Sequence, residues 1–493
     1  MNKLITVTLL LVVGTLTAQD SNVFLNRDFW KSNTTVKDVQ EKINEGNDPT
    51  ALSSNGFDAT TNAILASASD AIIKHLLSIE GNDINKITHD GRTYLFWASS
   101  KGNLPIVSYL LENGARIDIV DDKGSSVLLF AAGGGQTNPE LYDLLIANGV
   151  SINETNPKGA NVIHQLISKT KKLKDLDYFL NKGLDLNSMD KAGHNTVDYA
   201  ARTGNKEIIE QLIKKGVSYK DTNTDGSNAI LVASKGSRGG GNSTEFFKYL
   251  EGLGVQPNVT DNDGVNPIHN LSYSTKDKGL FNYFITKGVS ATTADNQGNT
   301  PLMNAASRND LAIVEFFAAN NSVNAKNKEG KTALMNAVHS NGKDVVQFLI
   351  NNGADTNIID EDGNNLAYYL IDSYSKRNEK SFNEKWELLT KKGLDITHLQ
   401  KDGNNLLHLA VLKNDRELLD KIANYKVDIN AKNANGLTPL HIAAMTTNTV
   451  DSIKHLLGLG AKVTVLSDFD ESAYDLALEN ELLDKSKIEF LKQ

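Results

Sequence analysis

Apolar residues along this chain follow two alternating patterns. In "DVVQFLINNGADTN", which starts at Asp344, residues Val345, Val346, Leu349 and Ile350 fall at helical intervals. That run stops at Gly353, a residue suited to a left-handed helix cap. A shorter apolar segment such as "TPLMNAAS" (Thr300–Ser307) follows a polar turn, "DNQGN" (Asp295–Asn299), in which Gly298 suits a positive φ. The predicted order is turn, short helix, second helix, and it recurs along the chain.

The turn glycines form a ladder: Gly91, Gly124, Gly159, Gly193, Gly226, Gly264, Gly298, Gly330, Gly363, Gly403 and Gly436. Most steps between them are close to 33 residues, the longest being 38 and 40, and Ala59 and Asp470 take the same slot one step outside each end. A period of this size marks an array of helical repeats. Second helices are expected to end at Gly114, Gly149, Gly183, Gly216, Gly254, Gly288, Gly353, Gly393 and Gly460. Ala98, Ala131, Ala200, Ala305, Ala410 and Ala443 recur at one position of the first helix, where small side chains let helices approach closely.

"GLTPLHIAA…IKHLLGLGAKV" (Gly436–Val463), "GNTPLMNAA" (Gly298–Ala306) and "GKTALMNAV…VVQFLINNGADTN" (Gly330–Asn357) carry a resemblance. With these copies in phase from about Ala59 onward, the chain resembles ankyrin-repeat proteins. The resemblance implies an all-α solenoid of about thirteen helix-turn-helix units with hairpin-like fingers, its fingers and first helices lining a concave face. At about 8–10 Å between packed helices the array would extend roughly 100 Å. The expected organisation is a leader at 1–18, an N-terminal capping segment at 19–55, repeats at 56–464 and a C-terminal capping repeat at 465–493.

A longer period is superposed. Units starting at Gly159, Gly264 and Gly363 replace the close-packing Ala with Leu166, Leu271 and Leu370, and each carries a basic stretch between its helices. The chain reads as triplets of about 100 residues, with independent divergence inside one array as the alternative. If triplets, the basic stretches recur on one edge at roughly 30 Å.

Composition narrows the chemistry. The formal charge is −9, which argues against general affinity for nucleic acid. Cysteine is absent, which excludes disulfides, thiolate metal sites and cysteine nucleophiles. "MNKLITVTLLLVVGTLTAQD" places Lys3 before an apolar run, Leu4–Leu16, and Ala18 before Gln19, the pattern of a secretory leader and too short to span a bilayer comfortably. Export is therefore expected, to the periplasm or alternatively the medium, with no stable membrane insertion after leader removal and a monomeric mature protein. With its Asn/Lys/Asp-rich composition, the chain resembles bacterial periplasmic or secreted ankyrin proteins.

No reaction centre is legible. "SKGSRGGGN" (Ser234–Asn242) lacks the Gly-Lys-Ser/Thr ending of a phosphate loop, and "DNDG" and "DEDG" lack the glutamate of a calcium loop. His164, His269, His408 and His441 share one slot, where the resemblance implies that imidazoles tie turns to helices. No catalytic, metal-binding or cofactor-binding residue is expected. What remains is surface. The position after the His slot includes Leu65, Trp97, Phe130, Tyr199 and Tyr369, with Asn270, Asn304 and Asn336 leaving a polar middle.

Packing is the expected role there. Trp97, Phe130 and Tyr199 are also candidate aromatic anchors for a protein partner, joined by finger residues His89, Arg92, Lys123, Lys158, Lys191, His194, Lys328, Lys331 and Lys401. Anionic contact is a candidate role for Lys169, Lys171, Lys172, Lys174, Lys276, Lys278, Lys376, Arg377 and Lys380. The functional expectation is a non-catalytic scaffold binding a protein through its concave face and finger tips. The alternatives are a secreted effector acting on another cell, a structural envelope spacer, or an accessory subunit of an enzyme.

Overall fold

The computed structural model describes residues 22–31, 33–237 and 240–492, so the leader expected at 1–18 lies outside them. Among the described residues there are 26 α-helices, short 3-10 turns and four isolated β-bridges, three of them at finger turns, with no extended strand. The residues form two bodies: 22–201 with 205–219, and 202–204 with 220–492. Each body is a stack of the same repeat.

Each finger is closed locally. In most of them an Asp carboxylate or Asn amide three residues before the turn glycine accepts from the backbone further along the turn, typically two and four residues on. Asp295 Oδ1 takes the N–H groups of Gln297 (2.9 Å) and Asn299 (2.8 Å). Asp360 Oδ1 takes those of Asp362 (3.0 Å) and Asn364 (2.8 Å) in the same way. Neighbouring fingers are then joined by single rungs: Lys328 N–H donates to Gln297 O at 2.8 Å and Glu361 N–H to Glu329 O at 3.0 Å. Gly330 has φ +75°, and a Cβ there would stand 2.7 Å from Glu361 N. Backbone conformation and the adjoining finger both require glycine at that point.

One slot differs from expectation. Gly56, not Ala59, occupies the turn before Gly91: its φ is +75°, and His89 N–H donates to Gly56 O at 2.9 Å. Ala59 instead opens the helix Ala59–Leu65, N-capped by Asp58. The first step is therefore 35 residues, and Asn62 rather than Leu65 takes the position of Trp97. Asp470 does hold its slot, at φ +61°.

Thirteen finger-plus-helix units result, numbered from Gly56. The nine cap glycines expected from sequence all have positive φ, from +85° to +107°. In the unit of the helix Arg416–Ala423 the cap position is held by Lys426, at φ +57°. Lys426→Gly is expected to raise stability by about 0.5–1 kcal/mol, because relief of left-handed strain exceeds the added freedom of the unfolded chain. Equilibrium urea denaturation checks it.

First helices pack through the small position. Ala98, Ala131, Ala305 and Ala443 are fully buried, and Leu166, Leu271 and Leu370 fill it completely in their units. The terminal repeat differs: after the helix Ala473–Glu479 come two 3-10 turns, Lys485–Lys487 and Glu489–Leu491, and Ile488 between them and Leu491 in the second complete the core. Before the first unit, Phe24 and Trp30 stack at 5.7 Å, and the helix Val36–Asn44 starts with a Thr35/Asp38 capping box.

A second set of bonds crosses between repeats. Carbonyls at the end of a first helix have no partner within that helix. The following repeat supplies one. Asn309 Nδ2 donates to Ser272 O and Thr275 O, both at 2.9 Å. Asn341 Nδ2 donates to Ala306 O (3.0 Å) and Asn309 O (2.9 Å). Asn480 reaches Ala444 O and Thr447 O likewise. The unit starting at Gly363 lacks this asparagine, and Lys385 substitutes for it from the longer helix Glu379–Lys391. Its Nζ donates to Val338 O at 2.6 Å and Asn341 O at 3.0 Å. Lys485 closes the final repeat by donating to Ala477 O at 2.8 Å and to Asn480 O.

Candidate binding surface

In the first body, five of the candidate residues come together. The Arg92 guanidinium bonds Asp121 Oδ2 through Nε (2.9 Å) and Nη2 (2.7 Å), and reaches Asp90 at 3.1 Å. The same group lies 4.3 Å from the Phe130 ring centre and 5.3 Å from that of Trp97. Those two rings meet edge-on at 5.4 Å. Trp97 Nε1 donates to Thr88 Oγ1 at 2.8 Å, and Phe57 stacks on His89 at 4.6 Å. Lys123 donates to Asp90 at 2.6 Å, and this bond holds the Asp90 carboxyl below the usual range.

Trp97 and Arg92 are buried and Phe130 half-buried, so this cluster stiffens the fingers from behind. Tyr199 has an equivalent tie: its hydroxyl donates to Asp190 Oδ2 at 2.8 Å. Burial would raise the Asp190 carboxyl, but the bonds from His194 and Tyr199 outweigh it and bring it to about 2. Tyr369 repeats the arrangement on Asp360 at 2.6 Å.

The histidine slot is structural. Backbone N–H groups of Asn161, Asn405 and Thr438 donate to Nδ1 of His164, His408 and His441 at 3.1–3.2 Å. The Nε2 atoms then donate to Ser188 O, Leu437 O and Val465 O, each at 3.0 Å. Burial lowers the pKa of all three and keeps them neutral. The polar middle is also tied down: Asn270, Asn304 and Asn336 each donate to the preceding repeat, at Ser234 Oγ (2.8 Å), His269 O (3.1 Å) and Met303 O (3.2 Å).

The remaining candidates sit at the surface, several with partners. Lys191 Nζ donates to Pro157 O, Lys331 pairs with Glu329 and Lys401 with Asp362. Lys158 and Lys328 are exposed. In the basic stretches, Lys169, Lys171, Lys172, Lys174, Lys278, Arg377 and Lys380 are exposed. Lys276 pairs with Asp310, and Lys376 with Glu379 and Glu417. Two of those cations are thus balanced by carboxylates of the chain itself.

A feature missed from sequence lies one residue ahead of the finger Asp/Asn column. There Leu52, Ile87, Val120 and Met189 are 48%, 53%, 57% and 62% exposed in the first body. Ile359, Leu399 and Leu466 occupy the same position in the second body and are also exposed. The column is legible once the turns are aligned, but Thr155, Thr222, Thr260, Ala294, Lys326 and Lys432 interrupt it.

Comparison with known proteins accords with this geometry. A family model described as ankyrin repeats (3 copies) matches residues 34–121, 61–156, 128–223, 230–321 and 269–360. A many-copy ankyrin model matches 388–443, and a single-repeat model 435–468. The chain is 25% identical over 323 residues to a putative ankyrin repeat protein of Acanthamoeba polyphaga mimivirus, covering 57% of this chain and 40% of that protein. It is 25% identical over 216 residues to the nuclear factor NF-kappa-B p105 subunit of Gallus gallus, covering 42% and 21%. It is 23% identical over 171 residues to a palmitoyltransferase of Lachancea kluyveri, covering 33% and 22%. The chain thus spans two fifths or less of the length of these curated relatives. Among solved structures, the ankyrin repeat domain of human ASB11 aligns with TM-score 0.38 at 20% identity, over 46% of this chain and 99% of that one. Ankyrin repeats generally mediate protein–protein interaction. The finger turns, the paired helices and the family models together lead to one conclusion: this chain belongs to the ankyrin-repeat family.

Proposed function

We propose that the chain is a non-catalytic scaffold whose first body meets a protein partner with the finger row Leu52, Ile87, Val120 and Met189. That row is the observation that carries the reading. A single exposed apolar residue is ordinary. Four in one register, each about half exposed and interrupted only at Thr155, leave apolar surface in water until something covers it. Behind the row, the Arg92–Asp121 pair and the Trp97–Phe130 contact hold the fingers in one arrangement, so little entropy is lost on binding. The proposed location is the periplasm, reached through the leader at 1–18, with release into the medium as the effector alternative.

The test compares wild type with Ile87→Glu/Val120→Glu/Met189→Glu as bait against envelope and medium fractions. The expected outcome is at least a tenfold loss of a partner that wild type recovers, with an unchanged thermal melt. Equal recovery by both proteins removes the row from the binding surface. Fractionation of the source cells decides location.

A further inference from the structure

Four side chains near the start of the array depart from the repeat pattern, and the fold brings them together. Asp58 is a helix N-cap where every other unit uses Thr, Ser or Asn. Asn82 follows Gly81, ten residues before the next turn glycine, where the nine later units with glycine at that position place Ala, Val or Leu after it. Lys86 is the only lysine in its column, and Tyr94 the only aromatic in its own. Asp58, Asn82 and Tyr94 are buried, and the Lys86 side chain is 15% exposed.

The geometry is that of a nucleophile, an electrophile and a proton carrier. Lys86 Nζ stands 3.0 Å from Asp58 Oδ2 and 3.1 Å from Asn82 Oδ1, and also donates to Thr50 O at 2.7 Å. The Tyr94 hydroxyl is 2.6 Å from Asp58 Oδ2 and 3.3 Å from Asn82 Oδ1. Asn82 Nδ2 donates to Leu76 O at 3.0 Å, which fixes the plane of the carboxamide.

We propose that this site joins Lys86 to Asn82 through an intramolecular isopeptide bond. Asp58 takes a proton from the Lys86 ammonium, and the freed lone pair of Nζ attacks Asn82 Cγ. Negative charge building on Oδ1 is met by the Tyr94 hydroxyl. The Cγ–Nδ2 bond then breaks, and Asp58 returns the proton to the departing nitrogen. Nζ sheds a second proton as the amide forms, and Asp58 passes it to the released ammonia. Overall, ammonium and carboxamide become a secondary amide and ammonium ion, with no oxidation or reduction. Burial keeps water from competing for Cγ, and the short reach supplies the proximity such a reaction needs. In a chain without cysteine, the bond covalently closes the loop 82–86 just ahead of the second finger.

Tryptic mapping of the denatured full-length protein tests this. The expected product is a peptide spanning residues 75–92, uncut at Lys86 and lighter by one ammonia. A succinimide at Asn82 also loses ammonia but leaves Lys86 cleavable, so it counts against the proposal. Cleavage after Lys86 with Asn82 at full mass overturns it outright. Lys86→Arg preserves the hydrogen bonding and should give the full-mass, cleaved peptides. Asp58→Asn should reduce the crosslinked fraction at least tenfold and Tyr94→Phe severalfold, with circular dichroism verifying the fold of each. Full crosslinking in Asp58→Asn would refute the proton-transfer role.

Discussion

Replacing Arg92 with alanine is expected to destabilise the first body by about 3–5 kcal/mol. The cost arises on Asp121. Its side chain is almost fully buried, and the guanidinium supplies two of its bonds. Removing the cation leaves a carboxylate out of water with no compensating charge, and takes the cover from the Phe130 ring. Arg92→Lys should recover only part of the loss, since one ammonium cannot make both bonds. Arg92→Leu/Asp121→Leu should lie well above the sum of its single variants, because neither partner is then stranded. Chemical denaturation followed by tryptophan fluorescence, to which Trp97 in the cluster contributes, reads wild type, these variants and the two single leucine variants. Lys123→Ala, which removes an exposed partner of Asp90, should cost under about 1 kcal/mol.

The second large effect depends on pH. Burial lowers Lys385 to about 8, because its ammonium is surrounded by carbonyls and helix rather than water. Between pH 8 and the ordinary lysine range near 10.4, the unfolded chain therefore holds a proton that the folded chain has released. Stability from this group is lowest below pH 8 and rises with pH through that window. After allowing for screening by water, the rise should be about 1–2 kcal/mol. Lys385→Met should lack it, and at pH 7 should also leave Val338 O and Asn341 O without their donor, at about 1–3 kcal/mol. Denaturation midpoints of wild type and variant from pH 7 to 10.5 provide the measurement. A constant difference would rule out the burial effect.

Much of the architecture could be read in advance because each finger is determined by residues a few positions apart. Asp295, Gly298 and Thr300 close a turn and start a helix without outside help. The Gly56 slot was displaced because the first step is 35 residues, and Ala59 lies at a more typical 32. The surface was harder to read. Trp97, Phe130 and Arg92 were identifiable by column, but their packing together rests on Asp121, 29 residues away on the next finger. The apolar row was hidden for another reason. A column sampled once every 33 residues or so produces neither a helical nor an alternating pattern, and polar residues such as Thr155 interrupt it. The role of Lys385 depends on an extended helix standing in for a missing asparagine, which no local spacing announces.

The cross-repeat amide bonds have a consequence for how such a chain can change in length. Asn309 and Asn341 each donate to the preceding unit and belong to a unit whose own carbonyls await the next donor. Excising one entire period would bring a new donor to an equivalent acceptor pair, so both neighbours stay satisfied. Excising half a period would strand two oxygens beside a donor with nothing to reach. Gain and loss of genetic material should therefore be tolerated here in whole-period quanta, and selected against at any other size.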